Sequence, residues 1–408
     1  MIPMFSPPDL QQLKDKGISE AEARRQLALF FTPPAPARLE RPCTAGAGVS
    51  RLSVAEESKY EALGAAALKT GRVSKFTPAS GAATRMFQAL QAEPQGKEAE
   101  VFRSGLKKFA LAPSLGQGDP VERALELYAH ALKALIPFHK YANLTRTPYQ
   151  EHLREAEALG IKKLHFTVSA EHRQGFAAHP EVSFSEQKPF TDTLAGQPDG
   201  TPFRDVSGRL LFRPGGHGAL MANLNDLQAD LVLIKNIDNI SHSDHWQNQL
   251  RWKKIILGLL LAQGPCQGRP RRVCGVVTNT GEPGGGPFWV KRVGKSDAQI
   301  VEAAQIDMND SGQKAVFQAS THFNPVDLAC AVRDETGLPF DLKKYCDDSA
   351  VFISKKFKDG KPLLALELPG LWNGAMAQWD TLFVEVPLET FNPVKTVNDL
   401  LKAAHQPL

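Results

Sequence analysis

The sequence predicts an α/β fold whose core is a mixed, mainly parallel β-sheet flanked by helices. From about residue 72 the chain alternates strand-like apolar segments, loops of small residues and helices, which is typical of such sheets. The segment ADLVLIKNID (229–238) holds four consecutive apolar residues, as expected of a strand buried on both faces. A long helix with an apolar side, DHWQNQLRWKKIILGLLLA, then follows. Ligands of these sheets bind beyond the carboxyl ends of the strands.

The elements before and after this core follow from local patterns. Apolar residues recur at helical spacing within 7–31, which predicts one or two helices: Leu10, Leu13, Ile18, Ala21, Leu27 and Leu29. Four prolines in 31–42 predict an extended connector. In 162–169, alternate apolar residues predict a strand, and Ser169 is expected to cap a following helix. The segment 351–369 is expected to be a hairpin that turns at Asp359–Gly360.

We therefore expect three parts. Residues 1–50 form a helical N-terminal extension, residues 51–350 form the α/β core, and residues 351–408 form a C-terminal hairpin and tail packed on the core. No repeat or low-complexity tract is present.

Composition limits the classes of function. The net charge is +4 and the pI is about 8.7, with lysines and arginines spread along the chain, which argues against a nucleic-acid or polybasic membrane surface. The five cysteines include no CxxC pair, so reduced thiols are expected. The most apolar run, residues 255–262, is too short to span a bilayer, and the N-terminus lacks a signal pattern. We expect a cytoplasmic protein.

The stretch KFTPASGAATRMF (75–87) reads as a strand, a loop of tiny residues and the start of a helix. Unshielded amides before a helix N-terminus suit a phosphate, and Arg85 could add a bidentate cationic contact. The candidate phosphate-binding residues are Ala79, Ser80, Gly81, Ala82 and Thr84. The alternative is a tight strand–helix turn with an exposed arginine.

Three further stretches carry candidate residues. In LLFRPGGHGALMANL (210–224), Gly215 and Gly216 permit close approach of a flat ligand and His217 offers its ring nitrogens; the alternative is a hairpin corner. Asp238 ends the buried strand, where a carboxylate commonly holds Mg²⁺ beside a phosphate; the alternative is a cap. Lys395 follows a rigid Asn-Pro-Val segment and could project into a site; a surface lysine is the alternative.

Taken in order, these stretches resemble the UDP-glucose and UDP-N-acetylglucosamine pyrophosphorylases. FTPASGAATRMF is similar to their glycine-rich nucleotide loop, RPGGHGAL to the turn that closes over base and sugar, and NIDNI to their Val-Asp-Asn. ETFNPVKTVNDLL (389–401) closely resembles their Pro-Val-Lys-Thr segment. The match covers islands between about residues 72 and 402. A bacterial branch of the superfamily, labelled as a domain of unknown function, is similar as well.

The resemblance implies a GT-A-like nucleotidyltransferase that joins a nucleoside triphosphate, expected to be UTP, to a sugar-1-phosphate with Mg²⁺. It assigns Asp238 to the metal, Arg85 and Lys395 to the phosphates, and Gln187 of VSFSEQKPF to the base. It assigns Asn239, Asn324 of ASTHFNPVDL and Glu367 of LALELPGLWNGAM to the sugar. Residues 279–290 contain four glycines, which predict a mobile lip over the sugar.

The chain also departs from that family. Ser80 replaces a glycine, no lysine follows Arg85 at the family's Pro-Lys position, and Gly215 and His217 replace an aspartate and an asparagine. Two other functions therefore stay open: a GT-A glycosyltransferase, which usually carries Asp-x-Asp rather than Asp238-Asn239, and a non-catalytic nucleotide-sugar binding protein. The sequence leaves the sugar, the base and the oligomeric state open.

Overall fold

The computed structural model describes residues 5–281, 284–292 and 295–408. Its α-helices, in chain order, are α1 Pro7–Lys16, α2 Glu20–Phe31, α3 Val54–Leu68, α4 Thr84–Ala92, α5 Lys97–Ser104, α6 Pro120–Tyr128, α7 Pro148–Leu159, α8 Met221–Asp226, α9 Trp246–Ala262 and α10 Ser311–Gln318.

The described strands are β1 Leu39–Pro42, β2 Thr44–Ala45, β3 Gly48–Ser50, β4 Val73–Pro78, β5 His139–Lys140, β6 Thr145–Arg146, β7 Leu164–Val168, β8 Val182–Glu186, β9 Thr193–Leu194, β10 Phe212–Arg213, β11 Leu231–Ile234, β12 Arg271–Thr278, β13 Gly285–Arg292, β14 Lys295–Glu302, β15 His322–Ala331, β16 Phe352–Lys358, β17 Lys361–Glu367 and β18 Asp380–Glu385.

The central sheet has nine strands in the order β2-β3-β18-β12-β15-β11-β4-β7-β8. Only β15 runs antiparallel to its neighbours in this sheet. The predicted mixed α/β fold with a mainly parallel sheet is therefore confirmed. Because β4, β7, β8, β11 and β12 are parallel, their carboxyl ends share one edge, and β15 begins there, with His322 opposite Thr278.

Helices cover both faces of this sheet. One core packs α3, α7 and α9 against β7, β11 and β12. A second core places α8 and the 371–379 segment against the opposite face. A third core joins α4, α5 and α6 to the C-terminal residues Val394, Val397 and Leu400. This third core anchors the tail that carries Lys395.

Several local predictions are confirmed and others are corrected. β11 is buried along its length, and the hairpin of β16 and β17 turns at Asp359 and Gly360, whose φ angles are 52° and 74°. The helix expected after Ser169 is a short 3-10 turn, residues 170–175, and Ser169 bonds the ring of His172 instead of capping the backbone.

The chain termini take part in the central sheet, which the predicted division into three parts had not included. β2 and β3 from the first 50 residues extend one side of the sheet, and β18 from the C-terminal part lies between β3 and β12. The N-terminal part thus contains strands besides α1 and α2. None of β2, β3 and β18 was predicted as a strand from the sequence, which is why the predicted boundaries left these residues out of the sheet.

Helices α3 and α9 cross with almost no space between their backbones. A Cβ atom on Gly64 would lie 1.9 Å from the carbonyl oxygen of Lys254, and one on Gly258 would lie 1.8 Å from that of Tyr60. Both positions therefore require glycine, since even an alanine would push the helices apart.

We expect Gly64→Ala to lower the free energy of unfolding by about 1–3 kcal/mol, the usual cost of overpacking. Replacement of a helical glycine by alanine otherwise raises the free energy of unfolding by up to about 1 kcal/mol. A decrease in Gly64→Ala therefore indicates the close contact between the two helices. Urea denaturation measures it. Ser58→Ala, on the exposed face of α3, is the control and should leave stability equal or higher; a stabilised Gly64→Ala protein would contradict the close crossing.

No helix among the described residues combines the length and apolar character needed to cross a membrane.

Candidate functional site

Two lysines from distant parts of the chain meet one aspartate at the carboxyl edge of the sheet. Asp238 follows β11, and its Oδ2 accepts hydrogen bonds from the Nζ atoms of Lys133 at 3.0 Å and Lys395 at 3.3 Å. The Asp238 side chain is 12% exposed. Burial alone would raise the pKa of Asp238, but the two ammonium groups outweigh it and lower that pKa below its ordinary value. The carboxylate is therefore ionised although it is largely buried.

The C-terminal tail is fixed to the end of β11 by backbone hydrogen bonds. The amide of Val394 donates to the carbonyl oxygen of Asp238 at 3.0 Å. Asp399 then accepts from the amides of Lys395 and Thr396 at 2.8 and 2.7 Å, which caps the following 3-10 turn. The predicted meeting of Asp238 and Lys395 is confirmed, although 157 residues separate them in the chain.

The side chain of Asn239, which was expected to contact the sugar, is bonded within the protein. It is buried, its Nδ2 lies within hydrogen-bond distance of the carbonyl oxygens of Val326 and Thr390, and its Oδ1 accepts from the amide of Asn392. These hydrogen bonds join the end of β11 to β15 and the C-terminal tail. Asn239 therefore positions Asp238 and Lys395.

Lys133 is the residue of this cluster that sequence reasoning missed. It opens a short 3-10 turn after α6, its amide donates to the carbonyl of Gly81 at 3.1 Å, and its Nζ donates to the carbonyl of Val394 at 3.0 Å. No spacing or motif around residue 133 signals this role. The sequence did show that no lysine follows Arg85, and Lys133 places an ammonium group beside the same loop.

The 79–85 loop presents free amide groups to the same edge. Ala79 donates to Thr167 and Ala83 donates to Ala131. Within the described residues, five other amides of the loop and first turn of α4 donate no hydrogen bond: those of Ser80, Gly81, Ala82, Thr84 and Arg85. Gly81, Ala82, Thr84 and Arg85 are exposed. These amides and the N-terminus of α4 can bind an anion.

Gln187 follows β8 at the same edge of the sheet. It is half-buried, and its Nε2 is 3.3 Å from Oδ1 of Asp192. It borders an open cavity of about 390 Å³ beside Arg173 and Phe184. The α8 residue Asn223 donates to the hydroxyl of Ser185 and to the carbonyl of Glu186 at the end of β8. The 214–218 turn, which precedes α8, therefore lies near Gln187.

The 214–218 turn packs on the chain that follows β17. Gly216 has φ 75° and lies beside Glu367, because a Cβ atom there would be 3.0 Å from the Glu367 Oε2. A Cβ atom on Gly218 would lie 2.0 Å from the carbonyl of Pro369, so this contact requires glycine. The structure thus brings Gly215, Gly216, His217 and Glu367 together, two groups that the sequence placed 150 residues apart.

The sequence predicted that both ring nitrogens of His217 are free, but the structure shows that one of them is not. Its Nδ1 accepts from the amide of Leu371 at 3.0 Å, and its ring stacks on Trp372 with centroids 4.7 Å apart. Burial lowers the pKa of His217 to about 4. The ring is therefore neutral at pH 7 and forms a flat apolar platform with Trp372.

This depressed pKa predicts acid sensitivity. The neutral ring stabilises the fold fully above the unfolded-state pKa near 6.5, and this contribution is lost as the pH falls towards 4. A pKa lowered from 6.5 to about 4 corresponds to about 3 kcal/mol of unfolding free energy at most. We expect His217→Gln to flatten the slope of unfolding free energy between pH 6.5 and 4. His130→Gln, at an exposed histidine, should not; equal slopes in all three proteins would refute the assignment.

Asn324 lies near the start of β15, at the same sheet edge. Its Oδ1 is buried and has no hydrogen-bond partner among the described residues. The predicted lip, residues 279–290, is only partly a loop. Residues 282 and 283 lie outside the described residues, and residues 285–290 belong to β13, which pairs with β1 and β14. The second half of that segment is therefore a strand and not a loop.

Comparisons with known proteins agree with this architecture. A family model described as "Domain of unknown function (DUF4301)" matches residues 6–116, 121–264 and 266–406. The chain belongs to the DUF4301 family. No curated protein matches the chain.

Solved structures resemble this DUF4301 chain over nearly its whole length. Three of them are a UDP-N-acetylglucosamine pyrophosphorylase from Trypanosoma brucei in complex with an inhibitor, with TM-score 0.54, 14% identity and coverage of 97% of this chain and 81% of the other; a UDP-glucose pyrophosphorylase mutant from Leishmania major in complex with UDP-glucose, with TM-score 0.56, 14% identity and coverage of 97% and 77%; and a UDP-glucose phosphorylase from Trypanosoma brucei, with TM-score 0.55, 14% identity and coverage of 98% and 78%. The predicted resemblance is confirmed at the level of the fold.

The donor set of the DUF4301 chain is compatible with Mg²⁺ held jointly with a ligand. Within the described residues, no group of three or more His, Cys, Asp and Glu side chains could hold a metal ion, which argues against a cage made of protein alone. Mg²⁺ commonly binds one or two carboxylates and completes its shell with phosphates and water. The ionised carboxylate of Asp238 fits that mode.

Proposed function

We propose that this protein is a nucleotidyltransferase that makes an activated sugar from a sugar-1-phosphate and a nucleoside triphosphate, UTP by preference, with release of pyrophosphate. The observation that carries the proposal is the meeting of Lys133, Asp238 and Lys395 beside the free amides of the 79–85 loop. The pyrophosphorylase fold of the neighbours supports it.

The reaction needs no protein nucleophile. An oxygen of the anionic sugar-1-phosphate attacks the α-phosphorus of the triphosphate in line, and the bond to the β-phosphate breaks as pyrophosphate leaves. The protein must hold two polyanions together and neutralise the charge that develops. A site with two ammonium groups, an arginine and a row of amides meets that requirement.

Each residue then has a specific task. The amides of Ser80, Gly81 and Ala82, with Arg85, bind the triphosphate. Lys133 and Lys395 exchange their contact with Asp238 for contacts with phosphate oxygens. Asp238 would hold Mg²⁺, which neutralises negative charge on the phosphates when it is bound.

The remaining groups bind the base and the sugar. His217 stacked on Trp372 offers a flat wall beside Gly216, and Gln187 supplies an amide that can read a base edge. Glu367 lies next to Gly216, and the buried Oδ1 of Asn324 has no hydrogen-bond partner within the described part of the chain; both are available for sugar hydroxyl groups.

The test is to incubate the protein with UTP, Mg²⁺ and a panel of sugar-1-phosphates and to measure pyrophosphate, with ATP and GTP as competing triphosphates. Pyrophosphate that appears only with one sugar phosphate supports the proposal. Tight binding of a UDP-sugar with no turnover in either direction identifies a nucleotide-sugar binding protein instead. Release of UDP from a UDP-sugar in the presence of an acceptor identifies a glycosyltransferase.

A further inference from the structure

A second group of charges lies inside the protein under the Asp238 turn, and the proposed reaction does not use it. It consists of Lys75 on β4, Glu155 on α7, Lys235 after β11, Lys253 on α9 and Asp327 on β15. The three lysine side chains are 2–3% exposed and Glu155 is fully buried. Only Asp327, at 12%, touches solvent. We call these five residues the buried charge cluster.

With all three lysines protonated, the buried charge cluster has one positive charge more than its two carboxylates can balance. A further titratable side chain in contact with it, that of His152, is neutral, because burial lowers its pKa well below 6.5. An unbalanced buried charge is costly. Stability alone therefore does not explain this composition.

The unbalanced charge is best assigned to Lys235. Lys75 is 2.6 Å from Glu155 and Lys253 is 2.7 Å from Asp327, which are close ion pairs. Lys235 has only longer contacts, 3.4 Å to Glu155 and 3.9 Å to Asp327. Burial lowers the pKa of Lys235 and also that of Lys75, to about 8, whereas Asp327 and Glu155 outweigh burial at Lys253 and raise its pKa, so the distances decide the assignment.

The cluster lies directly next to the candidate site. Lys235 and Asp238 are three residues apart, so their Cα atoms are at most about 11 Å apart. The turn between them is held by His152, whose Nε2 lies 3.2 Å from the carbonyl of Ile237, while Lys75 donates to the carbonyl of His152. The Lys133–Asp238–Lys395 group also carries one excess positive charge. The buried charge cluster and the Lys133–Asp238–Lys395 group therefore each lack one negative charge.

We infer that Lys235 is a positioning residue that acts electrostatically, because a polyanion bound at the candidate site compensates its excess charge. Lys235 acts there in addition to the two lysines that contact Asp238. This inference rests on the proposed function for the location of the anion. At an effective dielectric near 20, two unit charges about 11 Å apart interact strongly enough to change a binding constant about tenfold. Removal of the Lys235 charge should therefore weaken the binding of a polyanion by about that factor.

The inference predicts opposite effects on binding and stability. In Lys235→Met the cluster keeps two lysines and two carboxylates and becomes balanced. Without ligand, its melting temperature should equal or exceed that of the wild type, while calorimetry should show about tenfold weaker binding of inorganic pyrophosphate. Glu155→Gln, which increases the imbalance, should melt well below the wild type. Lys235→Gln, which keeps a polar side chain, should repeat the result of Lys235→Met.

Each result decides. A Lys235→Met protein that binds pyrophosphate as tightly as the wild type overturns the inference, and so does one that melts clearly below the wild type, since the lysine is then a structural partner. If the wild type itself binds neither pyrophosphate nor UTP, the proposed function fails instead. Because wild-type binding is measured first, the two failures are distinguishable.

Discussion

Asp238→Asn is expected to abolish pyrophosphate release, with a fall in kcat of about 10³-fold or more. That factor corresponds to about 4 kcal/mol of transition-state stabilisation, the size expected when one preorganised electrostatic group is lost from a closed site. The asparagine keeps the shape of the side chain but removes the charge that pairs with Lys133 and Lys395. A coupled assay of pyrophosphate with UTP and the accepted sugar-1-phosphate measures the loss.

The control for this variant is Asp226→Asn. Asp226 forms a surface pair with Lys188 and is 57% exposed, so this variant should keep full activity. Circular dichroism and a cooperative thermal transition should show that Asp238→Asn remains folded. A folded Asp238→Asn protein with wild-type turnover would remove the carboxylate from the mechanism and with it the proposed site for Mg²⁺.

Lys395→Met should lower kcat/KM for the triphosphate by about 10²-fold or more with little loss of stability. The Lys395 side chain is 63% exposed, so its pair with Asp238 contributes at most about 1 kcal/mol to folding. Its ammonium group is nevertheless free to move from Asp238 to a phosphate, where a charge-assisted hydrogen bond is stronger. Steady-state kinetics with varied UTP, together with urea denaturation, separate the two effects.

The same tail offers a close control. Lys402 is 68% exposed and pairs with Asp399 at 2.7 Å, so Lys402→Met removes a lysine of similar exposure from the same segment. We expect it to keep wild-type kinetics. Equal losses in Lys395→Met and Lys402→Met would mean that the tail contributes only general positive charge, and the specific role of Lys395 would have to be abandoned.

Local patterns were sufficient for much of this fold. The buried run of β11, the turn at Asp359–Gly360 and the long helix α9 depend on residues adjacent in sequence, and the structure contains all three. Asp238 was also recognised, because it follows a buried apolar strand. Lys395 was recognised because its segment resembles the Pro-Val-Lys-Thr segment of the pyrophosphorylases. The strands β2, β3 and β18 were not predicted from the sequence, since the pairing of strands in a parallel sheet depends on distant residues.

Two features of the candidate site could not be read from the sequence. Lys133 lies in a segment without a motif, and only the fold of α4–α6 against the C-terminal tail brings its ammonium group to Asp238. Likewise, Lys75, Lys235 and Lys253 look like ordinary lysines of strands and helices. Their burial follows from the packing of α7 and α9 on the sheet.

By itself, the sequence determined the class of fold, several of its elements and the edge of the sheet at which Asp238 lies, because apolar periodicity and turn chemistry are local properties. Only the tertiary structure decided which cations surround that carboxylate and that an unbalanced charge lies beneath it. The physical reason is that electrostatic interactions depend on distance in space and on burial, and neither is encoded in the spacing of residues along the chain.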